Sequence, residues 1–306
     1  MSVTIKNQKF GVEIETAGAS RDKLVAAVIS VVGGQVTGTE AYLNATIVRD
    51  NQGRNWRLCN DSSIPIVNNQ YGTEVVTPVL TYNDIYLLQN VVRALREAGA
   101  KTPSGTSVHI HVDAANHNAD SIARLAKTMY KNEDLFYKAI NFNTARTGYA
   151  GPMDSRFITT LASMTRLTDR ALNEAWFGSY NQDPYHYDSH RYHGLNLNNH
   201  WRSINTIEFR YFQFNKGLHA GILKAWIQFV LAVSAKAINT NRASHTKTTT
   251  TNDKFTMRVW LKALDLIGDE FKTCRTHLLS NLTGDCAHRN SVSTSRVHNI
   301  QIQVGA

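Results

Sequence analysis

Two short stretches of the sequence alternate apolar and ionisable residues in the way that a β-strand does. They are FGVEIET, from Phe10 to Thr16, and TIEFRY, from Thr206 to Tyr211. Successive side chains of a strand point to opposite faces of its sheet. The ionisable residues on the shared face would be Glu13 and Glu15 in the first stretch, and Glu208 and Arg210 in the second. Two such strands in one sheet would build a surface of carboxylates bordered by a guanidinium, which suits metal ions and phosphate.

Two further predicted strands repeat this pattern. One runs from Thr73 to Thr77 and carries Glu74, and the other runs from Ser107 to Asp113 and carries His109 and His111 on its polar face. Residues two apart on a strand are separated by roughly 6.5 Å, so each pair could reach one metal ion or two neighbouring ones. Crowded carboxylates repel and raise one another's pKa, and a divalent cation relieves that repulsion.

The residue types on these faces narrow the chemistry. Mg²⁺ prefers carboxylate oxygens and often bridges to substrate phosphates. Glutamates, histidines and a bordering arginine fit phosphoryl transfer from ATP, and by residue type alone they fit a two-metal hydrolase as well. The sequence has no P-loop and no GxGxxG motif. Each pattern also has a plain structural interpretation, as a solvated sheet face or a salt bridge, but four strands with coherent polar faces favour metal chemistry.

The remaining elements must position these strands. Apolar residues at helical spacing predict helices that begin near Ser20, Asp84, Asp120, Ser155, Leu218 and Lys254. A hairpin is predicted with arms Tyr42 to Arg49 and Trp56 to Cys59, and loops at 141–152 and 181–194. About five or six strands interleaved with helices favour an α+β domain. We expect a largely antiparallel sheet with one polar catalytic face and helices packed on the other.

The predicted organisation is one catalytic domain with additions at its C-terminal end. It comprises a domain at 1–243, a Thr-rich loop or linker at 244–253, helices packed on the same domain at 254–284, and a polar tail at 285–306.

Composition limits the partners. The 306 residues carry a formal charge of +9, which favours polyanionic partners and leaves nucleic acid as an alternative that is not favoured. The N-terminus lacks an apolar leader pattern, and the most apolar run, Ala225 to Ala235, is shorter than the roughly 20 residues of a membrane span. We therefore expect a cytoplasmic protein without a membrane partner. The series from Cys274 to His288 (C-x2-H-x8-C-x-H) could hold zinc, but ordinary helix and tail residues are the favoured interpretation.

Several motifs in order resemble the amidoligase family, the COOH–NH2 ligases related to glutamine synthetase and γ-glutamylcysteine synthetase. They are FGVEIET, the W-x4-D element ending at Asp61, GTEVVTP, TSVHIHVD, RTGYAGP and RYHGLNLNNHWRSINTIEFRYFQFNKGLHAGILKAWI, with CRTHLL near the end. The resemblance runs from about Phe10 to Leu282 and implies a glutamine synthetase-like catalytic fold.

What the resemblance implies for activity is an ATP- and Mg²⁺-dependent ligase, in which Mn²⁺ could replace Mg²⁺. ATP would phosphorylate a carboxylate, and an amine would then attack the acyl phosphate to leave an amide or isopeptide bond. The implied metal ligands are Glu13, Glu15, Glu74, Glu208 and one of His109 or His111. The resemblance further implies that Arg210 neutralises the transferring phosphoryl group, that Arg146 and Arg191 contact phosphate or carboxylate, that Asp61 is a secondary metal or amine-binding group, and that Asn196 and Asn198 orient substrate or cofactor.

Some points stay open at this level. Where the family pattern would place an Asn-x-Thr turn, the segment from Phe212 to Lys216 reads FQFNK, which leaves the pocket wall undefined. The acid and amine could be small molecules, peptides or cell-wall components, and the oligomeric state is not indicated. The alternatives are an ATP-dependent phosphotransferase on the same scaffold and a non-catalytic, basic nucleic-acid or polymer-binding module.

Overall fold

A computed structural model describes residues 2–41 and 44–289. Within them, nine strands form one antiparallel sheet in the order β2-β3-β4-β5-β1-β7-β9-β8, and β6 pairs with β1 beside this path. The strands are β1 (Lys9–Thr16), β2 (Gln35–Glu40), β3 (Ala45–Arg49), β4 (Asn55–Asn60), β5 (Thr73–Val76), β6 (Leu80–Thr81), β7 (Val108–Asp113), β8 (Leu195–Asn196) and β9 (Thr206–Phe212). The predicted antiparallel sheet is confirmed, but the predicted strand number was too low. Strand β2 is exposed throughout, so it lacks the apolar alternation that reveals a half-buried strand.

Eight α-helices accompany the sheet in the described residues. They are α1 (Arg21–Val32), α2 (Ile85–Glu97), α3 (Ala119–Ala139), α4 (Ser155–Ser163), α5 (Asp169–Phe177), α6 (Ala220–Asn239), α7 (Asp253–Ala263) and α8 (Lys272–Ser280). The single helical stretch predicted from Ser155 onward is two helices, while α2 begins after Asp84 as predicted, where Thr81 and Asp84 form a capping box. The apolar sides of the central strands pack on α1, α2, α3 and α6, and this layer forms the hydrophobic core.

Helix α6 is the apolar segment that crosses the middle of this core. An 18-residue window of this 20-residue helix has a mean hydropathy of 1.5, so by length and composition the helix could cross a membrane, contrary to the expectation from the shorter apolar run. However, 72% of this stretch is buried within the protein, where it packs on α2, α3 and α8. That burial is typical of the core helix of a folded domain.

The register of the four central strands places the polar side chains side by side. Glu15 pairs with Glu74 between β1 and β5, Glu13 pairs with His109 between β1 and β7, and His111 pairs with Glu208 between β7 and β9. Because facing residues on adjacent strands project on the same side of the sheet, the four predicted polar faces form one continuous surface.

The C-terminal segments lie on the helical side. In the Thr-rich segment, the Thr248 amide donates to the carbonyl of Lys131 at 2.8 Å and the Thr248 hydroxyl donates to Asn132 at 2.8 Å, so this segment follows α3. Cys274 is the first residue of the C-x2-H-x8-C-x-H series considered for zinc. Its Sγ lies 3.5 Å from the carbonyl oxygen of Ala225, inside the helical layer. From residue 290 on, the predicted polar tail lies outside the described residues.

Candidate active site

The polar surface of the central strands brings the predicted metal-binding residues together. We call it the carboxylate face and define it as Glu13, Glu15, Glu74, His109, His111 and Glu208. Its residues and Asp61 form three overlapping groups whose ligand atoms all lie within 4.8 Å of one another: Glu13, Glu74 and His109; Glu13, His111 and Glu208; Glu15, Asp61 and Glu74. Since Glu13 and Glu74 each belong to two groups, the face could hold neighbouring cations that share a carboxylate.

The two histidines of the face differ in their hydrogen bonding. Both ring nitrogens of His109 have partners, because Nδ1 lies 3.0 Å from Glu13 and Nε2 lies 2.9 Å from the hydroxyl of Ser107. His111 contacts the Thr206 hydroxyl through Nδ1 at 3.2 Å, but its buried Nε2 has no hydrogen-bond partner and lies 3.2 Å from a Glu13 oxygen. A buried imidazole nitrogen that makes no hydrogen bond but lies 3.2 Å from a carboxylate oxygen is placed to share a metal ion with that carboxylate.

Glu208 is the most enclosed carboxylate of the face. It is 2% exposed, accepts a 2.5 Å hydrogen bond from Nη1 of Arg210, and accepts amide hydrogen bonds from Asn196 at 2.6 Å and Asn199 at 3.3 Å. Arg210 is fixed further by its Nε donating to the carbonyl of Tyr149 at 3.3 Å. The salt bridge that was the alternative, structural interpretation of the Glu-x-Arg spacing is therefore present and buried.

The protonation of the face is uneven. Burial opposes ionisation of Glu13 and Glu208, but the positive neighbours outweigh it: His111 and His109 hold the pKa of Glu13 well below its usual range, and Arg210 with the histidines lowers the pKa of Glu208 to about 2. Burial and the charges of Glu13, Glu15 and Asp61 raise the pKa of Glu74 well above its usual value. The repulsion among the carboxylates of the face therefore appears mainly as the raised pKa of Glu74.

The donor set fits a divalent cation. The neighbouring carboxylates raise the pKa of Glu74, and Nε2 of His111 makes no hydrogen bond, so a cation bound between them would stabilise both groups. Carboxylate oxygens suit Mg²⁺, and an imidazole among them suits Mn²⁺ as well.

Arg146 contacts the backbone of β9 next to Arg210. Between Val108 and Ile110 of β7, the register on β9 advances by one extra residue, which is a β-bulge at Arg210 to Phe212. The buried Arg146 donates to the carbonyls of Arg210 at 3.0 Å and Phe212 at 2.9 Å. Because a bulge interrupts the strand ladder, this guanidinium supplies hydrogen bonds to carbonyls at the irregularity.

The predicted polar contacts from the segment before β9 divide into two groups. Asn196 touches the face through Glu208, whereas Asn198 accepts from Trp176 Nε1 at 2.7 Å and keeps a buried amide nitrogen without a partner. Nη1 of Arg191 lies 3.1 Å from Nε2 of His186. Of these three residues, the structure thus shows a direct contact with the face for Asn196, while Asn198 contacts Trp176 and Arg191 contacts His186.

Sequence reasoning overlooked several hydroxyl and amide groups that hold the face. The Ser107 hydroxyl donates to Glu15 at 2.5 Å, and its amide donates to the other Glu15 oxygen at 2.7 Å. Ser107 and Thr206 share strand parity with His109 and Glu208 respectively, so the period of two contained this signal. Asn199 lies in a 3-10 turn beyond β8, and no periodic pattern identifies it.

Comparison with known protein families identifies the family of the chain. The family model described as "Putative amidoligase enzyme" matches residues 6–234, which contain the whole carboxylate face. The chain belongs to the amidoligase family. This membership supports an enzyme of the carboxylate–amine ligase class in general.

Other comparisons add less to this amidoligase. No curated protein matches it. Among solved structures it is similar to a bifunctional glutathione synthetase from Pasteurella multocida, with 11% sequence identity and a TM-score of 0.47. The similarity covers 90% of the amidoligase and 48% of the synthetase, so the chain spans about half the length of that protein.

Proposed function

We propose that this amidoligase is an ATP- and Mg²⁺-dependent carboxylate–amine ligase that forms an amide or isopeptide bond through an acyl phosphate, on a glutamine synthetase-like catalytic fold. The observation that carries the proposal is the set of overlapping ligand groups on one sheet face, with Arg210 held at its edge by Glu208. Several carboxylates beside a fixed guanidinium match the demands of phosphoryl transfer, in which positioning and charge neutralisation provide most of the catalysis.

The metal ligands in this proposal are Glu13, Glu74, Glu208 and His111, with Glu15 and Asp61 at the outer group. His111 is preferred over His109 because both nitrogens of His109 already have hydrogen-bond partners, while Nε2 of His111 makes no hydrogen bond and lies beside Glu13. His109 then orients Glu13. Bound Mg²⁺ or Mn²⁺ would neutralise the phosphate oxygens of ATP beside the carboxylates.

The arginines have different tasks in the proposal. Arg210 uses Nη1 and Nε for its contacts with Glu208 and Tyr149, and a guanidinium has five N–H donors, so donors remain for a phosphoryl oxygen. Its orientation is fixed before substrate binds, which lowers the cost of ordering it. Arg146 supports the bulge that carries Arg210. A direct contact of Arg146 or Arg191 with substrate, and the orienting role of Asn196 and Asn198, stay predictions.

The test is stoichiometric turnover. Purified protein with Mg²⁺ and ATP is screened with pairs of acids and amines, and we expect release of ADP and phosphate only when both substrates are present. Glu13→Ala removes a residue shared by two ligand groups and should abolish turnover and weaken Mn²⁺ binding. Glu97→Ala, a change of an exposed glutamate on α2, is the matched control and should retain both. Absence of nucleotide binding in the presence of Mg²⁺ would refute the proposal.

Two alternatives have distinct outcomes in the same experiments. A stable phosphorylated product without amide formation would assign an ATP-dependent phosphotransferase. The net charge of +9 leaves a nucleic-acid or polymer-binding module as the non-catalytic alternative. DNA binding that weakens steeply with salt and is unchanged in Glu208→Ala would support it.

The cellular location and the division of the chain into parts are proposals as well. We place the protein in the cytoplasm, supported by three free cysteines, Cys59, Cys274 and Cys286, since disulfides are rare in reducing compartments. We retain the division into a catalytic domain at 1–243, a Thr-rich connection at 244–253 and packed helices at 254–284, with substrates drawn from small molecules, peptides or cell-wall components.

A further inference from the structure

Three basic residues meet beside the carboxylate face. We call them the basic rim and define it as His186, Arg191 and Arg202. Nη1 of Arg191 lies 3.1 Å from Nε2 of His186, and Nη1 of Arg202 lies 3.0 Å from Nδ1 of the same ring. Both guanidiniums therefore direct N–H donors at one imidazole, from its two sides.

This arrangement cannot satisfy both arginines. A neutral imidazole has one acceptor nitrogen and one N–H donor, and a protonated imidazole has two donors. At least one of the two contacts consequently sets a donor against a donor. Burial and the charges of Arg191 and Arg202 lower the pKa of His186, so the neutral ring with a single acceptor is favoured.

The two guanidiniums also lack acidic partners. In the part of the chain that the structure describes, neither Arg191 nor Arg202 forms an ion pair with a carboxylate. Their other neighbours hold them in place: the Arg191 guanidinium lies 5.5 Å from the ring centre of Tyr187, and Arg202 donates to the Asn199 side chain at 3.2 Å. Two positioned cations that share one insufficient acceptor form a site that suits an anion.

The rim is connected to the carboxylate face. The same Asn199 side chain that accepts from Arg202 donates to Glu208 at 3.3 Å. An anion held by the rim would therefore lie next to the proposed metal site, and the rim's positive charge would offset repulsion between that anion and the carboxylates.

We propose that Arg202 joins Arg191, for which the family resemblance already implies a phosphate or carboxylate contact, in one site for an oxyanion of the substrate, and that this oxyanion displaces His186 as their shared acceptor. The inference rests on the proposed function only for the origin of the anion, which is either the phosphate chain of ATP or a carboxylate of the acid. Each oxygen of such a group accepts charge-assisted hydrogen bonds, which a neutral imidazole cannot match.

Direct binding tests the rim independently of turnover. Pyrophosphate and succinate are titrated by calorimetry into the full chain, once in EDTA and once with Mg²⁺. Arg191→Gln and Arg202→Gln should each weaken binding of the recognised anion by about tenfold or more, because each removes charge-assisted hydrogen bonds. Arg170→Gln is the matched control, since Arg170 is an exposed arginine paired with Glu174 on α5, and it should bind as the wild type does.

The two probes separate the sources of the anion. Arginine-dependent binding of pyrophosphate assigns the rim to the nucleotide, and arginine-dependent binding of succinate assigns it to the acid. Binding that neither Arg191→Gln nor Arg202→Gln weakens, under both metal conditions, would overturn the proposal. Failure of ATP turnover alone would instead count against the proposed function, because these titrations require no reaction.

The displacement of His186 has its own signature. His186→Asn removes the competing ring, so anion affinity should equal or exceed that of the wild type. The ring nitrogen resonances of His186, identified by their loss in His186→Asn, should shift on anion binding in the wild type. A loss of affinity in His186→Asn as large as in the arginine variants would overturn displacement, and thermal unfolding of each variant verifies that it is folded.

Discussion

The ion pair between Glu208 and Arg210 tests how the carboxylate face is held together. Nη1 of Arg210 lies 2.5 Å from Oε1 of Glu208, and the two side chains are 6% and 2% exposed. Glu208→Ala would leave the Arg210 guanidinium buried with the Tyr149 carbonyl as its remaining contact. Arg210→Ala would leave a buried carboxylate beside Glu13.

The burial determines the magnitude. An exposed ion pair contributes about 0–1 kcal/mol, whereas removing one partner of a buried pair costs about 3–5 kcal/mol because the other charge stays desolvated. We therefore expect Glu208→Ala to lower the free energy of unfolding by about 3–5 kcal/mol. The double variant leaves neither charge uncompensated, so its cost should fall short of the sum of the single costs by about 2–3 kcal/mol, at the upper end of usual coupling energies.

Urea unfolding of the wild type, both single variants and the double variant in EDTA measures this cycle. The exposed pair of Arg170 and Glu174 supplies a control cycle whose coupling should stay below about 1 kcal/mol. If Glu208→Ala costs less than about 1 kcal/mol, or if the two single costs add, the charges are not held as the structure describes them. The same unfolding curves show whether Glu208→Ala is folded. Only then can a loss of turnover in this variant be attributed to the active site.

Three further predictions concern protonation and packing. Burial raises the pKa of Glu133 to about 7 from an ordinary 4.5, so the stability contributed by its protonated form is present below about pH 4.5 and is lost as the pH rises through 7. This difference corresponds to about 3 kcal/mol, so Glu133→Gln should unfold with a larger free energy than the wild type at about pH 9 and not at about pH 5. Because the pKa of Glu74 is raised, Mg²⁺ must displace its proton, and calorimetry should show Mg²⁺ affinity falling by up to about tenfold per pH unit below that pKa. Gly194→Ala would drive a methyl group into the Tyr211 ring and should lower the free energy of unfolding by about 1–3 kcal/mol, whereas Gly148→Ala, with open space around it, should not.

Each of these predictions has a contradicting result. A stability difference between Glu133→Gln and the wild type that is independent of pH would show that Glu133 does not titrate in the folded state. Mg²⁺ binding that releases no proton in the wild type, or as many protons in Glu74→Gln as in the wild type, would exclude Glu74 as the coupled group. Equal unfolding free energies for Gly194→Ala and Gly148→Ala would show that Tyr211 can move without cost.

The composition of the carboxylate face could be predicted from sequence because it depends on local geometry. A strand has a period of two, so the alternation in FGVEIET and in SVHIHVD determines that Glu13 shares a face with Glu15, and His109 with His111, whatever lies beside the strand. The helical spacing of apolar residues in α2 likewise acts within a few residues. These local patterns predicted the strands and helices around the site and the residue types within it.

Other features of the site depend on contacts between distant residues. Whether Glu74 lies beside Glu15 is decided by the pairing of β1 with β5, and the pairing of His111 with Glu208 joins residues far apart in the chain. Such pairings follow from burying the helical layer on the opposite face, against the entropy of closing long loops, and no local pattern encodes that balance.

Irregular backbone accounts for what the sequence left undetermined. The β-bulge at Arg210 breaks the strand period, and Arg146 donates to main-chain carbonyls there, a contact that no local pattern predicts. The loop that carries His186 between two arginines has no period at all. The sequence alone thus determined which side chains share a face, while the tertiary structure decided which of them meet, because strand alternation is local and register, bulges and loops are not.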